Sequence, residues 1–139
     1  MIEVARALEW IYTTLSTDTT VANLIDDRIY DGVVPQGSAY PLIIFNHQGG
    51  ADARGVGVYR AFDNSLYQVK AVAQSESYSE ATEIADAIDN ALQGASGTAD
   101  GGYIGPAVRE QTLMLTEVGK GGIQYRSVGG LYRLAAQEA

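Results

Sequence analysis

The sequence predicts an α+β fold: a mostly antiparallel sheet, two main helices and long loops. Three stretches carry that prediction. Residues 65–74 alternate in hydrophobicity with the period of a strand. Residues 77–92 then switch to the period of a helix, about 3.6 residues. Near the C-terminus, strand-like runs at 108–118 and 123–134 flank a turn at Gly119–Gly122.

In chain order, the first helix is expected over Glu3–Leu15, where Val4, Leu8, Ile11, Tyr12 and Leu15 recur at helical spacing. Thr13 and Thr14 weaken its last turn, and the polar run Ser16–Thr20 ends it. Asp18 or Thr19 can cap a short second helical turn carrying Val21, Leu24 and Ile25. Arg28–Tyr30 has the makings of a brief strand. Pro35, Gly37 and Pro41 punctuate a loop over Asp31–Tyr40. Leu42–Phe45 is apolar at every position, which predicts a central strand covered on both sides, once by helices and once by a partner. Gln48–Val58 is glycine-rich, the expected flexible arm of a long hairpin that returns through Tyr59 and Phe62.

In the next strand Tyr67, Val69, Ala71 and Ala73 point one way, and Leu66, Gln68, Lys70, Val72 and Gln74 the other. Ala81, Ile84, Ala85, Ile88, Ala91 and Leu92 form one helical stripe, which must fold back onto the sheet to leave water. Glu80, Glu83, Asp86 and Asp89 are expected on the wet side. Ser77 and Glu80 have capping-box spacing, and Gly94 stands where a left-handed C-terminal residue is wanted. Gly94–Pro106 offers little to bury and is expected to be the least structured stretch. Gly129–Gly130 suggests a bulge or kink in the last strand.

Length and composition predict one domain over residues 1–139, with 46% hydrophobic and 19% charged residues arguing against disorder. The chain has no cysteine, so a disulfide framework and thiolate metal sites are excluded, in keeping with a reducing compartment. No apolar run is long enough for a bilayer, and Met1–Trp10 lacks the basic-then-apolar pattern of a leader. A soluble, cytoplasmic protein with no membrane partner is the expectation. Net charge is −8, and the nine basic residues look scattered along the chain. That balance counts against gripping nucleic acid by its phosphates, although an acidic surface can let DNA pass without holding it.

Catalytic chemistry finds little support. His47 is the only histidine, and no Gly-x-Ser-x-Gly elbow is present. Asp26, Asp27 and Asp31 could hold a hard cation, but the spacing of a calcium loop is missing and a solvated turn explains them better. The glycine-rich stretches at 55–57, 94–105 and 119–122 lack the remaining residues of phosphate-binding loops. No catalytic, cofactor-binding or metal-binding residue is therefore predicted. Nine tyrosines suit strands and also interfaces, which favours a protein-binding role over turnover.

An ordered set of segments carries a resemblance. It comprises Val21–Tyr30, Val34–Gly37, Tyr40–Ile44, the strand–helix unit Leu66–Leu92 and a late Tyr125–Leu134. Across nearly the whole chain this resembles the tail-completion or tail-terminator family of tailed bacteriophages. The resemblance implies an α+β sheet with both helices packed on one face, no catalysis and no cofactor. It also implies a ring, usually hexameric, that caps the tail tube and docks onto the head connector or stopper protein. The partners would be further copies of the chain, the tube protein and the connector, with genome DNA passing through the lumen without specific binding. The location would be the head–tail junction of the virion, after assembly in the host cytoplasm. Arg54, Tyr59 and Tyr103, on or near the long loops, are the candidate partner contacts. Two alternatives stand beside this: another neck or minor tail ring, such as a head-closure protein, and a small-molecule-binding domain or enzyme using Asp26, Asp31 and His47.

Overall fold

A computed structural model of the chain describes residues 2–54, 60–99 and 102–137. Helix α1 (Ile2–Thr17) leads into α2 (Thr19–Ile25) and the short strand β1 (Ile29–Asp31). Strands β2 (Leu42–Arg54) and β3 (Arg60–Gln74) form the long hairpin, and α3 (Ser79–Leu92) follows. Two short strands, β4 (Gly97–Ala99) and β5 (Gly102–Ile104), precede the hairpin of β6 (Val108–Val118) and β7 (Gln124–Gln137).

Among the described residues the strands make one seven-stranded sheet in the order β1-β2-β3-β7-β5-β4. Strand β6 shares the far edge of β7 with β5: β6 lies along Gln124–Arg133, β5 beside Ala136 and Gln137. Only β1 and β2 run parallel, so the sheet is mixed but chiefly antiparallel.

One face is the core. Tyr67, Val69, Ala71 and Ala73 are fully buried there, as their alternation predicted. Ile43 and Phe45 of β2 and Tyr132, Leu134 and Ala136 of β7 extend that surface. Over it lie Ala7, Trp10, Ile11 and Leu15 of α1, Val21 and Ile25 of α2, and Ile84, Ile88 and Leu92 of α3. Helix α1 is rotated from its predicted setting. Trp10 is inside, while Tyr12 is 45% exposed.

The reading of Gly94–Pro106 is corrected as well, for its described residues 94–99 and 102–106; Asp100 and Gly101 lie outside them. The stretch is not loose: β4 and β5 pair with each other, β5 pairs with β7, and Ala99, Ile104 and Ala107 are buried. Gly97 and Gly102 are crossed closely by α1. A Cβ on Gly97 would stand 2.9 Å from Trp10 Nε1. Small residues here record tight packing, not freedom.

Asp18 is the N-cap of α2, accepting the Val21 N–H at 3.0 Å. The capping box expected at α3 does not form. The helix starts at Ser79 after Tyr78, with no side-chain cap. Ser75 and Ser77 instead accept the N–H groups of Ser77 and Ser79, at 3.1 and 3.4 Å. Gly94 has the left-handed φ expected after α3, 77°; the Gln93 N–H closes the helix on the Asp89 carbonyl, and the Gly94 N–H turns away to the Ala107 carbonyl at 2.7 Å. Gly129 and Gly130 stay in continuous register with Lys70 and Val69, so no bulge occurs between β7 and β3. The irregularity lies in β6, between Arg109 and Gln111.

Candidate functional site

The face of the sheet away from the helices is where function has room. Leu42 is buried there and Ile44 half-buried, next to Leu66, Lys70 and Val72 of β3 and Tyr125 and Leu131 of β7. The second cover expected over Leu42–Phe45 comes in part from the chain's own loop. Tyr40 packs its ring 5.3 Å from that of Tyr125 at a tilt of 55°. The two rings line one side of a shallow cavity of about 230 Å³, with Leu42, Ile44, Val72, Lys70 and Glu117 on its other walls. A second hollow of about 390 Å³, towards the other end, is lined by Phe62, Pro106 and Val108 and rimmed by the Glu110–Arg133 ion pair. Open hollows lined by half-buried apolar side chains and bordered by charge suit a contact surface between proteins.

Strand β6 extends the theme. Met114, Leu115 and Val118 are 57%, 45% and 71% exposed, on both faces of the strand. The basic residues are also less scattered than the linear order implied. Arg109, Lys120, Arg126 and Arg133 all belong to the β6–β7 hairpin. Arg126 ties that hairpin to the β3–α3 loop, donating to the Ser75 and Glu76 carbonyls while its guanidinium lies 4.9 Å from the centre of the Tyr78 ring.

Of the three predicted contact residues, Arg54 and Tyr103 lie towards one end of the sheet. Arg54 closes β2 in register with Arg60, and Tyr59 lies outside the described residues. Tyr103 is 49% exposed on β5 and pairs with Gln137, whose neighbour Ala136 pairs with Asp63 near the start of β3. With β3 and β7 between them, the β2 and β5 strands are about 14 Å apart across the sheet.

His47 is exposed on β2, its ring edge-on to Tyr67 at 5.4 Å. Asp26 ends α2 with φ of 53° and lies 3.4 Å from Arg28, while Asp31 ends β1. Among the described residues no three His, Asp or Glu side chains are grouped closely enough to hold a metal ion.

Of the four acidic residues expected on the wet side of α3, Glu80, Glu83 and Asp86 are exposed and Asp89 is turned partly inward. Asp89 accepts a hydrogen bond from the buried Tyr132 hydroxyl at 2.8 Å and lies 3.5 Å from Arg109 Nη1. Strand β7 passes beneath α3, so a tyrosine there reaches the helix flank. Burial, then the Asp89 hydrogen bond, raises the Tyr132 phenol above its ordinary range; burial, then the Asp63 charge, does the same for Tyr67. A raised folded-state value means stability is intact below the unfolded phenol value of about 10 and is lost as pH climbs towards the folded one. The expected result is alkaline unfolding accompanied by phenolate absorbance. A Tyr67→Phe/Tyr132→Phe variant should lose less of its remaining stability between neutral and alkaline pH, measured by urea denaturation at each pH.

A family model described as tail completion protein gp17 matches residues 9–120, from α1 to the β6–β7 turn. The chain belongs to that family. The tail completion family is one of structural phage-tail proteins, and the open sheet face and bare β6 agree with a life among other subunits. A solved chain titled "Virion of native gene transfer agent (GTA) particle" is 20% identical, with 97% of this chain and 98% of that chain aligned at a TM-score of 0.71. That likeness establishes a shared fold. No curated protein matches the sequence. The exposed apolar residues of β6 had one sequence signal: Leu113, Met114 and Leu115 are consecutive, so no register of β6 hides them all.

Proposed function

We propose that the protein is a single-domain subunit of a ring, of six copies, that caps the finished tail tube and joins it to the head connector or stopper protein. Membership of the tail completion family carries the reading. The half-buried apolar sheet face and the exposed apolar side chains of β6 support it, because further subunits would take that surface out of water. Head-to-tail contacts that close into a ring stop growth, which is what ending a tube requires. Arg54, Tyr59 and Tyr103 are the proposed contacts to tube or connector. The net charge of −8 supports a lumen that lets genome DNA pass without adhering.

Particles made without this protein are the test. The expected result is tails of irregular length, separated from filled heads, with joined particles restored when the chain is supplied. Cryo-electron microscopy of restored particles should place ring density between tube and head. Density at the far end of the tail would overturn the junction role, and a basic, DNA-contacting lumen would overturn the electrostatic part.

A further inference from the structure

The two sides of the sheet carry matching surfaces that the single chain leaves unused. On the β6 side, the register sets Met114 opposite Val128 and Thr116 opposite Arg126, so Met114, Thr116 and Val118 lie on the helix-bearing face. Tyr78, at the N-cap of α3, hydrogen-bonds Thr116, but no helix covers Met114 or Val118, which are 57% and 71% exposed. On the β1 side the arrangement is reversed. There α1 overhangs the sheet edge and leaves a groove of about 340 Å³ with Leu8, Tyr12 and Phe45 along it and the carboxylates of Glu9 and Asp31 at its rim. One side has a strand short of a helix; the other has a helix with an empty flank.

Charge pairs the same two sides. The β6–β7 hairpin bears Arg109, Lys120, Arg126 and Arg133 against Glu110 and Glu117, a net of +2 within a chain of −8. The α1–β1 side bears Glu9, Asp26, Asp27 and Asp31 against Arg28. Among the described residues Lys120, Glu9 and Asp31 are in no ion pair.

We propose that the occupant of the groove is a second copy of this chain. Strand β6 of one copy seats against the α1–β1 side of the next, Met114 and Val118 enter the groove over Leu8, Tyr12 and Phe45, and Lys120 meets Glu9 and Asp31. Each copy uses both sides once, so the contact is head-to-tail and propagates around a ring. The assignment rests on the ring reading above and gives that ring its interface. A two-fold contact of β6 with β6 would set positive hairpin against positive hairpin and leave the groove empty.

Because the chain has no cysteine, reporter thiols can be placed singly. In the full-length Tyr12→Cys/Met114→Cys variant, both at exposed positions, mild oxidation should yield a ladder of disulfide-linked multimers ending in a closed species. Each single-cysteine variant should remain monomeric on a non-reducing gel. Lys120→Glu should weaken association about tenfold, and adding Asp31→Lys should restore it, because the charges are then exchanged across the same contact. Dimers from Met114→Cys alone would overturn the proposal in favour of a two-fold pair. Rings that form without cross-links would overturn this interface and leave the ring standing. A double variant that stays monomeric and unlinked at every concentration would overturn both.

Discussion

Replacing Ile88 with Asp unfolds the protein. Ile88 is 1% exposed on the buried stripe of α3, in the cluster that also holds Tyr67, Val69, Ile84 and Leu92. The substitution forfeits roughly 1.5–3 kcal/mol of apolar burial. It also places a carboxylate with no cation in the core, a penalty of several kcal/mol more. Domains have only about 5–15 kcal/mol in total. The variant should show no cooperative thermal transition by circular dichroism, while Ile88→Val should keep a transition and lose about 0.5–1.5 kcal/mol. A wild-type-like melting curve for Ile88→Asp would mean that α3 does not pack on the sheet.

The second large effect is expected at Gly129, in the middle of β7. A Cβ there would stand 2.2 Å from the Val69 carbonyl oxygen and 2.5 Å from Lys70 Cα. Both are backbone atoms of β3, so neither can rotate aside. Gly129→Val therefore forces β3 and β7 apart at the centre of the sheet, beyond the roughly 1–3 kcal/mol of ordinary overpacking. Urea denaturation should show a loss of at least that size, or no folded state. Gly130→Ala is the contrast. Its nearest neighbour is Arg109 Cδ at 2.7 Å, a flexible side chain able to move, and its backbone neighbour, the Gln111 carbonyl oxygen, is at 2.9 Å. The smaller loss is expected there, and an order reversed between the two glycines would refute the packing argument.

These glycines show what local pattern conceals. A Gly-Gly pair inside a strand suggested a bulge, because sequence alone cannot separate a residue that relaxes the backbone from one that lets two backbones approach. The same ambiguity hid β4 and β5. Glycine, serine and threonine over Gly94–Pro106 have the composition of a loop, yet Gly97 lies under Trp10 and Ile104 is fully buried. By contrast the strand–helix unit from Ser65 to Leu92 was legible. Its alternation and its helical stripe are properties of neighbouring residues, and the buried positions of β3 match them one for one. The contact surface was legible only in outline. Consecutive Leu113, Met114 and Leu115 announce an uncovered strand, but the clustering of four basic residues on one hairpin appears only once β6 and β7 are paired.

By itself, then, the sequence determined the kind of elements and their order, because hydrophobic period, caps and turn residues act over a few neighbours along the chain. It also excluded cysteine chemistry outright. The tertiary structure decided which side of α1 faces inward, that Asp89 has a buried tyrosine as partner, and that part of one sheet face and much of β6 remain without cover. Those outcomes depend on residues far apart in sequence competing for the same space, and no local period records the winner.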